Sequence, residues 1–308
     1  MAELSPYTKD TLFSYPGDGS TECLGNCTCT LVRHDGVRGF GRAKDLWGGE
    51  GDGDADEKGQ SLDPVKVSGN LITKNPAEDA LPEEVFKLSD SVAVHPNIQK
   101  LASDVLGEID KIIRVPASSQ PPIAISNMRM QEGSFGVCIT SLNRSDTPIK
   151  IHVDTKQLVA QNPSTLVHEI GHALDSKYFS GALANEQDFA SWLGAHGKGK
   201  MQGIFESIYR SKMVKSLEDA ARSSEYRPQI SRFIKGYYLS PQELWARCFT
   251  QFICSRVINK SLQDAWKSCS QEVVNKDECA IRVHWDDDDF EEIDKEVTQF
   301  LKEVGFEV

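Results

Sequence analysis

A chain of 308 residues is long enough to bury a full core, as one large domain or as a domain with an appendage. Its formal net charge of −12 speaks against a nucleic-acid partner, since phosphate binding calls for a basic surface, and at long range it favours basic over acidic substrates. No apolar run approaches the roughly 18 residues of a membrane span, so no membrane partner is expected, and the segment from Met1 to Ser20 lacks the apolar stretch of a Sec-type signal. Cytoplasmic synthesis is the expectation, with virion association or export by a specialised route still open.

Residues 1–78 read as an irregular N-terminal region. Cys23, Cys27 and Cys29 cluster near His34 without the second ligand pair that a structural zinc site requires, so structural thiols or one loop disulfide are expected. In the acidic, glycine-rich stretch 48–59, Asp52, Asp54 and Asp56 imitate the start of a calcium loop. Glu57 stands where that loop needs glycine and Asp63 where it needs glutamate, so the stretch reads as a linker. Residues 79–308 are expected to form the folded domain.

There the pattern tightens. Residues 81–88 predict a short helix. Ile98, Leu101, Val105, Ile109, Ile112 and Ile113 line the buried side of a longer one. Residues 121–126 read as a strand, and 135–140 and 149–153 as two more joined by the turn-rich 143–148. In the last, Ile149, Ile151 and Val153 alternate with Lys150, His152 and Asp154, as in a half-buried strand. Further helices are predicted over 162–175, 185–195, 202–222, 228–235, 241–258, 262–268 and 287–304. The fold class is therefore α+β, mainly helical, with a small mixed sheet.

The helix over 162–175 carries His168-Glu169-Ile170-Gly171-His172. Asn162 suits its N-cap and Pro163 its first position, where no backbone N–H is needed. His168 and His172, four apart, project from one face. Their imidazoles can bind one tetrahedral zinc at about 2.0–2.1 Å. Glu169, turned roughly 100° around the helix, is placed to touch a metal-activated water instead. A catalytic zinc usually has three protein ligands. Tyr178 occupies the position where a metzincin has its third histidine. His152 could reach the site from its strand, and Asp175, one turn past His172, suits a supporting bond to an imidazole or a helix end. Glu243 is the strongest remaining ligand, on the first turn of a helix begun by Pro241. Ser240-x-x-Glu243 is equally a capping box, and local sequence divides the two readings evenly.

The segments 166–175 and 237–249 together resemble gluzincin-type zinc metallopeptidase domains. They are most similar to the metallopeptidase-like domains of phage and mobile-element polyvalent proteins and, more distantly, to the catalytic domain of anthrax lethal factor. The resemblance covers about residues 145–260 and leaves 1–78 uncovered. It implies a zincin-like domain, one zinc ion held by His168, His172 and Glu243, and a tyrosine, Tyr238 or Tyr237, that assists the oxyanion. The implied activity is endopeptidase cleavage of a protein or peptide substrate, with Glu169 as general base. The alternative is a catalytically idle zincin-fold module in a phage or mobile-element assembly. Two expectations rest on the residues themselves. Arg247, one turn beyond Glu243, is expected to pair with Asp175 or Glu243. The strand holding Ile149, Ile151 and Val153 is expected to offer its edge to an extended peptide.

Overall fold

The computed structural model describes residues 84–118, 120–130, 135–140, 149–156, 160–180, 189–271, 273–275 and 279–308. The cysteine cluster, the acidic stretch and the boundary near residue 78 lie outside them. The described chain opens with strand β1 (Val85–Phe86), strand β2 (Val92–Val94) and helix α1 (Gln99–Ile112), followed by β3 (Val115–Pro116). The helix expected over 81–88 is not formed at its described end. Val85 and Phe86 pair antiparallel with Pro116 and Val115 instead, so a tertiary partner overrides a weak local preference. In α1, Val105 and Ile109 are buried as expected, with Ala102 and Leu106 beside them.

Three more strands, β4 (Ile123–Asn127), β5 (Gly136–Ile139) and β6 (Lys150–Val153), complete a four-stranded mixed sheet of order β2-β4-β6-β5. The β4 strand runs parallel to both β2 and β6, while β5 runs antiparallel to β6 and ends the sheet. Ile123, Ile125, Ile151 and Val153 face one side and are fully buried. Helix α2 (Asn162–Leu174) follows directly and packs against β5, β6 and α1.

The remainder is mainly helical. It comprises α3 (Ala190–Ala195), α4 (Gln202–Arg210), α5 (Lys212–Arg222), α6 (Pro228–Phe233), α7 (Pro241–Cys254) and α8 (Lys260–Cys269), then a hairpin of β7 (Val273–Asn275) and β8 (Cys279–Arg282), and finally α9 (Asp287–Glu303). The helix expected over 202–222 is broken at Ser211, whose backbone is extended at ψ 150°. The Ser211 hydroxyl caps α5 by accepting the Val214 N–H, and Asp289 in the first turn of α9 accepts the Lys212 and Met213 N–H groups at 2.9 and 3.0 Å. Every exposed donor at that helix start thus has a partner, which makes the break stable. The β7–β8 hairpin and β2 were not expected from the sequence. No helix among the described residues is long and apolar enough to cross a membrane.

Helices α2 and α7 lie at the centre. From Glu243 to Cys254, every α7 side chain is buried, and α2 is buried on nearly all sides. Such helices belong to a core. Polar side chains on them are therefore costly unless they are satisfied.

Candidate metal centre

The approach of α7 to α2 is set by a glycine. A Cβ on Gly171 would sit 3.2 Å from Ala246 Cα and 3.2 Å from Phe249 Cδ1, so only a missing side chain lets the two backbones come this close. Trp245 fastens the crossing, its indole N–H donating to the Gly171 carbonyl at 2.9 Å. Two residues before Trp245, Glu243 points across at the two histidines.

His172 Nε2 lies 3.2 Å from His168 Nε2, and the Glu243 oxygens lie 3.4 Å from each imidazole: Oε2 from His168 and Oε1 from His172. A tetrahedral ion with arms of about 2.0–2.1 Å has ligand atoms about 3.3–3.4 Å apart along each edge. The His168–His172 spacing is close to that figure, and Glu243 offers a different oxygen to each imidazole, so one ligand atom from each of the three residues lies within 4.8 Å of the others. Glu243 Oε2 is buried and has no hydrogen-bond partner among the described residues. Its nearest charged neighbours are the His168 imidazole at 3.4 Å and the Arg247 guanidinium at 3.9 Å, and a cation between the ligands would satisfy it further. These residues could therefore hold a metal ion, and no other group of three potential ligands gathers among the described residues.

The capping-box reading of Glu243 does not hold. The Ser240 N–H donates to the Tyr237 carbonyl at 3.0 Å, and the Ser240 side chain makes no cap bond, its hydroxyl being buried without a partner. Burial alone would raise the Glu243 carboxyl, but the His168 and His172 imidazoles hold it well below its usual range. Burial likewise works against a charged His172. The hydrogen bond and charge of Glu243, with the charges of Glu169 and Asp175, outweigh it and raise His172 above its ordinary value.

Glu169 is completely buried, on the side of α2 that faces β5. A Cβ on Gly136 would lie 2.7 Å from Glu169 Oε1 and 2.7 Å from Thr165 Cγ2, so this glycine makes the room in which the carboxylate sits. Gly136 was missed in the sequence, where the only signal is a glycine opening a strand.

The supporting residues divide. Asp175 accepts the Ser191 N–H at 3.1 Å and the Ser191 hydroxyl, tying the end of α2 to α3. Burial pushes its carboxyl up to about 6, although the Ser191 bonds and the charge of His172 oppose the rise. Arg247 pairs with Glu243 rather than Asp175, and only at 3.9 Å; its guanidinium also donates to the Tyr238 carbonyl. Asn162 does not cap α2. It is the first helical residue, and its side-chain amide donates to the Thr155 carbonyl at 3.2 Å. His152 does not join the three candidate ligands; its Nδ1 lies 2.7 Å from Ser126 Oγ on the neighbouring strand.

Tyr237 and Tyr238 close a wide turn before α7, in which the Leu239 N–H reaches back to the Ile234 carbonyl at 2.9 Å. Both line the cavity that opens beside His168. The expectation for Ile149, Ile151 and Val153 is corrected. Ile151 and Val153 lie in β6, which is paired on both edges by β4 and β5, Ile149 directly precedes it, and the three side chains are in the core. It is β5 that ends the sheet and reaches Glu169.

No family model, curated protein or solved structure matches this chain. Its chemistry is read from the geometry alone.

Proposed function

We propose that the chain is a zinc-dependent endopeptidase of gluzincin type, with a zincin-like fold and a protein or peptide as substrate. The observation that carries the reading is the buried convergence of His168, His172 and Glu243, one potential ligand atom from each within 4.8 Å of the others, with a buried carboxylate, Glu169, one residue along from His168. One zinc ion held by these three would polarise the scissile carbonyl and acidify the attacking water.

The other steps belong to side chains. Glu169 takes the proton of the attacking water and returns it to the leaving amine. Its position is fixed by Gly136 and Thr165, so the base needs no search before the reaction. A hydroxyl from Tyr238 or Tyr237 donates to the carbonyl oxygen as charge builds there. Arg247 holds the Tyr238 carbonyl and thereby the turn that presents both phenols.

The test compares the wild type with Glu169→Gln on a peptide library and on a denatured proteome, with zinc measured in both proteins. We expect cleavage by the wild type alone and one zinc in each. Equal cleavage by both, or none by either with zinc bound, removes the peptidase and leaves a zinc-binding scaffold.

A further inference from the structure

We propose that the cavity beside His168 is an acid-selecting subsite, which takes the side chain of an aspartate flanking the scissile bond. The inference rests on the peptidase reading and names its substrate class. The cavity has a volume of about 50 Å³, and its walls include Ser164, Tyr238, Arg247, Thr250 and His284 beside the metal ligand. That is room for about three or four waters, or for one carboxymethyl group. An aromatic side chain does not fit.

Its chemistry is set by two buried nitrogens. Arg247 is 3% exposed and His284 is 4% exposed. Arg247 Nε and His284 Nδ1 have no hydrogen-bond partner among the described residues. Arg247 gives one donor to the Tyr238 carbonyl, and its distance of 3.9 Å to Glu243 is too long for a hydrogen bond. The guanidinium lies over the Tyr238 ring at 5.1 Å and pairs with Glu243 only at 3.9 Å, so no carboxylate among the described residues is within its hydrogen-bond reach, and one entering the cavity answers it with charge-assisted hydrogen bonds.

His284 adds a second donor. Burial, aided by the neighbouring Arg247 charge, pushes its pKa down and favours the neutral ring. Its Nε2 lies 3.3 Å from Cys269 Sγ. With the thiol proton given to Nε2, the ring carries its own hydrogen on Nδ1, where it can be donated. The acidic charge of the whole chain does not oppose this. A wall of low dielectric makes contact charges dominant, and remote ones are screened beyond about 8 Å.

The test uses the full chain as Glu169→Gln loaded with zinc, titrated calorimetrically with two peptidyl hydroxamates, one bearing a carboxymethyl side chain and the other a methyl. We expect the carboxymethyl compound to bind at least tenfold tighter. In an added Arg247→Met variant the ratio should fall to about one, and Arg247→Lys should restore part of it. If Arg247→Met fails to hold zinc, His284→Leu, which leaves Glu243 untouched, should lower the ratio severalfold. Equal binding of the two compounds, or a ratio unchanged in the variants, overturns the acid-selecting subsite and leaves the peptidase standing. Absence of zinc-dependent binding by either compound overturns both.

Discussion

Replacing Gly136 with alanine puts one methyl group where the structure has none to spare. The new carbon would lie 2.7 Å from Glu169 Oε1, 2.7 Å from Thr165 Cγ2 and 3.0 Å from Glu169 Cγ. Non-bonded carbons rest at about 3.5–4.0 Å, so the shortfall is about 1 Å. Thr165 is β-branched and stiff on α2, which leaves the Glu169 carboxylate or the whole of β5 to move. A displacement of about 1 Å at a reacting group can cost on the order of 100-fold in rate. Overpacking of this kind costs about 1–3 kcal/mol, against the small gain that alanine normally brings to a strand. We therefore expect Gly136→Ala to lower kcat by about 100-fold, and to lower the stability by about 1–3 kcal/mol. Zinc should remain stoichiometric, because the atoms nearest the added carbon belong to Glu169 and Thr165 rather than to the proposed ligands. Steady-state kinetics on a cleaved peptide, urea denaturation and metal analysis measure the three effects. Unaltered kcat with unaltered stability would show that the Glu169 carboxylate does not rest against β5.

Three further outcomes follow from the centre. Glu243→Gln keeps the volume but removes the charge that faces both imidazoles, so zinc affinity should fall at least 100-fold and added zinc should cease to raise Tm; at 1,000 times Kd a bound ligand adds about 4 kcal/mol to the wild type. Gly171→Ala should gain helix propensity of about 1 kcal/mol yet push α7 away, so we expect near-neutral stability with about tenfold weaker zinc binding in a chelator competition; unchanged affinity would mean that the crossing does not set the site. Asp175 is the pH probe: burial raises its carboxyl to about 6 in the fold, above the unfolded value, so its contribution to stability is complete below about pH 3.9 and is lost as pH rises through about 6. The loss is about 3 kcal/mol. Metal-free wild type and Asp175→Asn, unfolded in urea from pH 4 to 7, should differ by this slope; parallel curves would refute it.

Local spacing disclosed part of this centre. His168 and His172 follow from helix geometry, and the α+β class from alternating and helical periods in succession. Glu243 was ambiguous because a capping box and a ligand share one pattern. What separates them is distant: the Ser240 N–H is taken by Tyr237, and Gly171 admits α7 close enough for its carboxylate to reach α2. The β6 strand shows the same limit. Its alternation correctly reports burial on one face but carries no record of which strands lie beside it, so an interior strand was read as an edge. Ser211 breaks a continuous helical pattern because Asp289, far along the chain, satisfies the freed N–H groups. The subsite was hidden for a related reason, since His284 reaches it from beyond the β7–β8 hairpin, with no motif to announce it.

The placing of the ligands on α2 and α7 also sets a timetable. Glu243 follows His172 by 71 positions, which at synthesis rates of about 5–20 residues per second is a delay of roughly 4–14 s. During that interval the growing chain displays two histidines and a base without the residue that completes the centre. The wall that holds His284 emerges later still. A ribosome carrying the first two-thirds of this chain therefore holds two of the three residues of the candidate metal centre and not the third, so the centre closes only after α7 has been made.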